Sequence, residues 1–228
     1  MPVSNAIAAI YAHPDDEVLA CGGALARHAD AGDLVNVLIL ATGVTARGKD
    51  AAAGIEALRG QARAAARVLG VAEVSFGDFP DNGMDSIPLL NVVRRVEAFL
   101  TEHPATTVYT HHLGDLNLDH RIVAQAVLTA CRPLPGAKIG TVLAGEVLSS
   151  SEWGPPGERF VPDTHLEITR QLERKRAALS CYTAELRDFP HPRSMRALES
   201  LAHLRGSEAG VTAAEAFITL RRVLRDRD

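Results

Sequence analysis

Apolar residues fall along this chain in two alternating rhythms. Short unbroken runs, AIAAIYA (6–12) and LVNVLILA (34–41), read as strands buried on both faces. EVSF (73–76), TVYT (107–110) and IGTVLAGEVL (139–148) extend the series. Between them apolar positions recur at helical spacing, over about Glu17 to Ala31, Ile55 to Leu69 with Gly70 after it, Leu89 to Leu100, and Leu118 to Cys131 before Pro133. Beyond residue 148 the rhythm loosens. SSSEWGPPGERF reads as a loop, Thr169 to Tyr182 as a helix, and FPHPRS (189–194) as a proline-rich connection. Arg196 to Leu204 reads as a further helix, and AEAFITLRRVL holds a last strand.

Strands alternating with helices of this length predict an α/β fold, a mostly parallel sheet with helices on both faces. Such sheets place ligands at the C-terminal ends of their strands. No internal repeat or shift in composition divides the chain, so residues 1–228 are expected to form a single domain.

Composition narrows the function. The chain is 46% hydrophobic and 23% charged with a formal net charge of −4, which speaks against a nucleic-acid partner. Arg221, Arg222, Arg225 and Arg227 are interrupted by Asp226 and Asp228, as in a solvated terminal segment. Cys21, Cys131 and Cys181 lie far apart, so neither a disulfide scaffold nor a thiolate metal site is expected. No apolar run has the length of a membrane span, and a cytoplasmic location is expected. The CGGALA run lacks the full dinucleotide fingerprint, so no NAD is expected; Gly22 and Gly23 read as close packing or as room for a substrate. Oligomeric state, including a homo-oligomer, is left open.

Two strand ends carry the chemistry. In HPDDE (13–17) a proline and acids suit an ordinary helix start, because the helix dipole favours negative charge there. His13 adds something more: an imidazole and one carboxylate can bind a metal while the neighbouring carboxylate stays free as a base. The stretch THHLGDLNLDH repeats the arrangement with His111, His112, Asp115, Asn117, Asp119 and His120. Here too Asn117 suits a helix cap. Yet four of the nine histidines fall in these two loops, and neighbouring parallel strands would bring the loops together. Three donors of type His, Asp and His leave zinc an open position, the mark of a catalytic site.

With both motifs present, the sequence resembles the PIG-L/LmbE family of zinc-dependent deacetylases, which act on N-acetylglucosamine-type sugars. AHPDDE (12–17), FPDNGMDSIPLL, EVLSSSEW and FPHPRS…EAGVTAAEAF carry the likeness. The resemblance implies a Rossmann-like fold with the metal at the C-terminal edge of the sheet. It implies His13, Asp16 and His120 as ligands of zinc, or of another divalent metal, with Asp15 as general base and Asp119 as a supporting carboxylate. Asn117 stands where the family carries the histidine that protonates the leaving amine. His112 is the first choice for that acid, with His111 and the distant His191 as alternatives. Strand alternation points one of His111 and His112 toward the site and the other away.

The implied reaction removes an acetyl group from a small N-acetylated sugar or glycoconjugate. Two alternatives stand beside it: an amidase acting on a larger amide such as a thiol conjugate, and a non-catalytic binding module. A serine hydrolase is disfavoured by the absence of a Gly-x-Ser-x-Gly elbow. Arg47 or Arg59 would suit an anionic substrate group, although a solvated role is the commoner one for such residues.

Overall fold

The computed structural model describes residues 5–43 and 51–224. Arg47, Arg225 and Arg227 lie outside the described residues. The chain runs β1 (Ala6–Tyr11), α1 (Asp16–Asp30), β2 (Leu34–Ala41), α2 (Ala51–Leu69), β3 (Glu73–Phe79), α3 (Leu89–Glu102), β4 (Thr107–His111), α4 (Leu118–Ala130) and β5 (Thr141–Gly145). It continues with β6 (Thr164–Glu167), α5 (Leu172–Leu179), α6 (Met195–Ala209) and β7 (Ala214–Arg222). The fold is α/β, as expected, with element ends shifted by a few residues. One strand, β6, was not foreseen.

The seven strands form one sheet in the order β3-β2-β1-β4-β5-β7-β6, parallel from β3 to β5 and antiparallel at β7 and β6. Strand β1 shows why its sequence is apolar throughout. Ile7, Ala9 and Tyr11 pack into one core layer with residues of α1, α2 and α5, while Ala8, Ile10 and Ala12 enter the opposite layer beneath α3 and α4. A strand covered on both faces has no side to spare for polar residues. Strand order reverses at β1, which has β2 on one flank and β4 on the other. Loops leaving β1 and β4 diverge there and open a crevice. Both histidine-bearing loops leave from those two strands.

Helix α1 is not continuous. Cys21 has φ −143° and ψ 18°, outside the helical region. An unbroken helix would join the Gly23 N–H to the Leu19 carbonyl. Instead Gly23 and Ala24 donate to the Glu215 carboxylate at 2.7 Å each, and Lys175 donates to the Leu19 carbonyl at 2.8 Å. Lys175 and Glu215 close the circuit at 2.6 Å, both buried. The freed Gly23 and Ala24 N–H groups and the Leu19 carbonyl thus all have partners. Gly23 lies against Ile168, whose side-chain atoms would stand 2.7–2.9 Å from an added Cβ, so close packing is its role. Among the described residues no helix is long and apolar enough to cross a membrane.

The buried pair generates a stability prediction. Lys175→Met leaves a buried carboxylate without its counter-ion and should cost about 3–5 kcal/mol in urea unfolding. The double variant K175M/E215Q should lose less than the two single losses combined. A K175M variant as stable as the parent would show that the pair does not hold the interrupted helix.

Candidate active site

The turn from β1 into α1 is strained where the chemistry is expected. Asp15 has φ 99° and ψ −26°, a conformation that costs a non-glycine residue energy. Its side chain does not cap the helix. The Asp15 N–H donates to Glu17 Oε2 at 3.1 Å, and Tyr182 donates to Glu17 Oε1 at 2.6 Å. Burial pushes the Glu17 carboxyl up to about 7. Asp15 itself is buried; its Oδ2 meets Arg193 Nη1 at 3.1 Å, and its Oδ1 has no partner among the described residues. Burial drives its carboxyl well above the usual range, against the pull of Arg193.

Asp16 turns the other way. Its Oδ2 accepts the His13 backbone N–H at 2.8 Å and faces two ring nitrogens, His13 Nδ1 at 3.3 Å and His120 Nε2 at 3.2 Å. Those nitrogens are 3.2 Å apart. Three donor atoms therefore form a nearly equilateral triangle, and the same trio is the group of described residues able to hold a metal. Donors about 2.0–2.1 Å from a tetrahedral zinc stand roughly 3.3–3.4 Å from one another. The triangle has those dimensions.

Carboxylates on the far side of each ring complete the fit. His13 Nε2 lies 3.1 Å from Asp119 Oδ2, whose other oxygen accepts the Met84 N–H at 3.0 Å. His120 Nδ1 lies 3.2 Å from Asp115 Oδ1. Each outer nitrogen thus carries the proton and each inner nitrogen presents its lone pair, the arrangement a metal ligand needs. Two lone pairs and an anionic oxygen facing one another repel unless a cation lies between them. Without one, protons fill the role: burial lowers both imidazoles, but hydrogen bonds and charge from the aspartates outweigh it and lift His13 to about 10 and His120 to about 9. Asp115 is held down to about 2 because His120, Ser150 and Ser151 outweigh its burial.

Of the two adjacent histidines at the end of β4, the structure turns His111 to the site. Its ring stacks on His120 with centroids 3.9 Å apart, and its Nε2 accepts the Ala12 N–H at 2.8 Å. Burial holds it neutral, well below the usual histidine range. His112, the expected acid, goes elsewhere: its Nε2 lies 2.7 Å from the Glu158 carbonyl and its ring meets Phe160 edge-on. Asn117 caps α4, its Oδ1 accepting the Asp119 N–H at 2.8 Å. Arg59 donates to Gly77 and Asp78 at the sheet edge and is not part of the cluster. His191 accepts the Arg193 N–H and lines a neighbouring cavity.

A cavity of about 290 Å³ opens beside the triangle, lined by His13, Asp15, Asp81, Asn117, Glu185 and Arg193 among others. Sequence reasoning assigned no role to Arg193, Glu185, Glu17 or the Ser150–Ser151 pair. The first two come from the FPHPRS connection and the segment before it, more than 160 residues along the chain from Asp15. The family-like text of FPHPRS hinted at Arg193, whereas the segment before it carries no such likeness for Glu185.

The PIG-L family profile, described as GlcNAc-PI de-N-acetylase, matches residues 8–131. The chain is 33% identical over 134 residues to the uncharacterized deacetylase YaiS of Escherichia coli (strain K12), covering 57% of this chain and 69% of that one. It is 33% identical over 193 residues to a 4-oxalmesaconate hydratase of Pseudomonas putida, covering 77% of this chain and 72% of that one. The structure of N,N'-diacetylchitobiose deacetylase from Pyrococcus horikoshii superposes with a TM-score of 0.78 at 17% identity, over 96% of this chain and 85% of that one, a likeness of fold.

The triangle predicts a metal titration. Purified protein should bind about one divalent ion per chain, and His120→Ala should abolish the binding. Because protons compete for raised imidazoles, affinity should climb as pH rises from 6 toward 9, with protons released on binding. Full occupancy in the His120→Ala protein would remove that residue from the coordination sphere.

Proposed function

The chain belongs to the PIG-L family (GlcNAc-PI de-N-acetylase), and from that premise we propose that it is a zinc-dependent hydrolase removing the acetyl group from an N-acetylated amino sugar or sugar conjugate. The observation that carries the reading is the His13–Asp16–His120 triangle beside a buried carboxylate with one unpartnered oxygen. An amide resists hydrolysis because water is a weak nucleophile and an amide anion a poor leaving group. Zinc held by the triangle supplies Lewis acidity, acidifying water and polarising the acyl oxygen.

The chain's own groups account for the protons. Asp15 Oδ1 takes the proton of the attacking water, while Arg193 on Oδ2 fixes the direction of the free oxygen. Asp119 and Asp115 hold the two imidazoles in their working tautomers. Asn117, on the cavity rim, offers an amide hydrogen bond to the developing oxyanion but has no proton to release. His112 Nε2 lies against the Glu158 carbonyl, and on that ground this reading gives the acid's role to another group. The proton needed by the leaving amine then returns from Asp15, base in the first half and acid in the second. Its upward shift by burial suits both duties, since a carboxylate in its usual range holds a proton too weakly at neutral pH.

A second reading rests on the hydratase relative, which aligns with more of this chain than the deacetylase does. Hydration uses the same activated water but cleaves no amide. The cavity favours the first reading: among its described lining residues, three carboxylates (Asp15, Asp81, Glu185) outnumber the single guanidinium of Arg193, a poor setting for a polycarboxylate.

Two measurements test these roles. Asp15→Asn should keep its metal and lose about 10²–10⁴-fold in acetate release, whereas His112→Ala should keep the alkaline limb of the pH–rate profile. Loss of that limb with metal retained would restore His112 as the acid. Acetate should appear from N-acetylglucosamine derivatives, while an unsaturated polycarboxylate should show no loss of ultraviolet absorbance; the opposite pair of results would select the hydratase reading.

A further inference from the structure

A separate cavity of about 300 Å³ is lined by Arg27, Glu167, Thr169, Arg170 and Gln171. It shares no lining residue with the cavity beside the triangle. Arg27 lies in the last turn of α1, roughly three turns beyond Asp16. The other four residues span the end of β6 and the turn into α5. The volume is at the lower edge of what small-ligand sites offer.

The walls of this cavity are tied in place. Arg27 Nη1 donates to the Glu167 carbonyl at 2.6 Å, joining α1 to the end of β6. The Ala213 N–H donates to Thr169 Oγ1 at 3.3 Å, and the Gln171 side-chain amide donates to Asp30 at 2.8 Å. Asp30 is in turn paired with Arg174. Between these ties sits Ile168, the residue that packs against Gly23 beside the break in α1. The segment that forms the cavity is thus the one that braces the interrupted helix.

The groups left for a ligand have a definite chemistry. They are the rest of the Arg27 guanidinium, the whole of Arg170, the Thr169 hydroxyl and the Glu167 carboxylate. Among the described residues, neither the Arg170 guanidinium nor the Glu167 carboxylate has a hydrogen-bond or ion-pair partner. Two guanidiniums and a hydroxyl present a fan of donors, and the guanidinium fork matches the paired oxygens of a phosphate. A bare phosphate would also meet the Glu167 carboxylate and be repelled by it. A hydroxyl on the same ligand removes that conflict, because a carboxylate accepts a hydrogen bond from an O–H. We propose that this cavity binds a phosphate monoester of a polyol, such as a hexose phosphate, with the phosphate on Arg27 and Arg170 and a hydroxyl on Glu167. The site is additional to the metal centre and does not depend on the reaction performed there.

The probes are glucose 6-phosphate, inorganic phosphate and glucose, titrated calorimetrically into metal-loaded protein at constant ionic strength. Glucose 6-phosphate should bind about tenfold more tightly than inorganic phosphate, and glucose should give no measurable binding. Removing Arg170 leaves no internal group without its partner, so Arg170→Ala should fold and keep its metal. It should weaken glucose 6-phosphate binding by about tenfold or more. Glu167→Ala removes both the repulsion and the acceptor for the hydroxyl. Inorganic phosphate should then bind more tightly, and the advantage of the sugar phosphate should shrink. A phosphate held at the metal instead would bind Arg170→Ala as tightly as the parent, and that result overturns the site. A parent protein that takes up neither phosphate, or binds the two equally, overturns the proposal as well.

Discussion

Everything at the crevice follows from one electrostatic constraint: two imidazole lone pairs and a carboxylate oxygen, all on buried residues, converge within 3.2–3.3 Å. Such an arrangement is repulsive unless a cation or protons occupy it. The protein raises the demand further by placing Asp115 and Asp119 behind the rings. Those carboxylates decide which nitrogen of each ring is protonated, and so decide that both lone pairs face inward. His111 contributes differently. Neutral and stacked on His120, it accepts a hydrogen bond from the end of β1 and so ties the two strand-end loops together.

The support for this centre comes largely from the far end of the chain. The family profile ends at residue 131, yet Asp15 is held by Arg193, its backbone by Glu17 and Tyr182, and the broken helix behind it by Lys175 and Glu215. An interruption in α1 would ordinarily leave an unpaired carbonyl and N–H groups in an apolar core. Pairing them with a lysine and a glutamate couples the helix that carries Asp15 and Asp16 to β7 and α5. The last third of the chain is thereby part of the site, although it contributes none of the three candidate ligands.

The order of strands and helices was readable because buried parallel strands must be apolar on both faces, as in AIAAIYA and LVNVLILA. The meeting of the two histidine loops was readable for the same reason, since β1 and β4 are adjacent at the reversal of strand order. Strand β6 is not legible in the sequence because its four residues form an antiparallel edge, half-buried and, among the described residues, paired with β7 alone. The choice between His111 and His112 was equally hidden: alternation requires them to diverge but does not say which one faces α1. Arg193 and Glu185 lie in an irregular, proline-rich stretch where no periodicity announces a role.

Asn117 shows how a capping residue and a chemical one can exchange places. As the N-cap of α4 it satisfies the Asp119 N–H, and Asp119 then orients His13. An asparagine performs that structural task well. It cannot, however, give up a proton, so under the proposed deacetylase reading the proton for the leaving amine comes from another group. The proposed source is Asp15, where one oxygen is pinned by Arg193, the other has no partner among the described residues, and burial raises the affinity for a proton. A single carboxylate that accepts and then returns the same proton needs no second acid. That economy requires Asp15 to be held in one orientation throughout, which is what its strained backbone, the Glu17 contact and the Arg193 pair together impose.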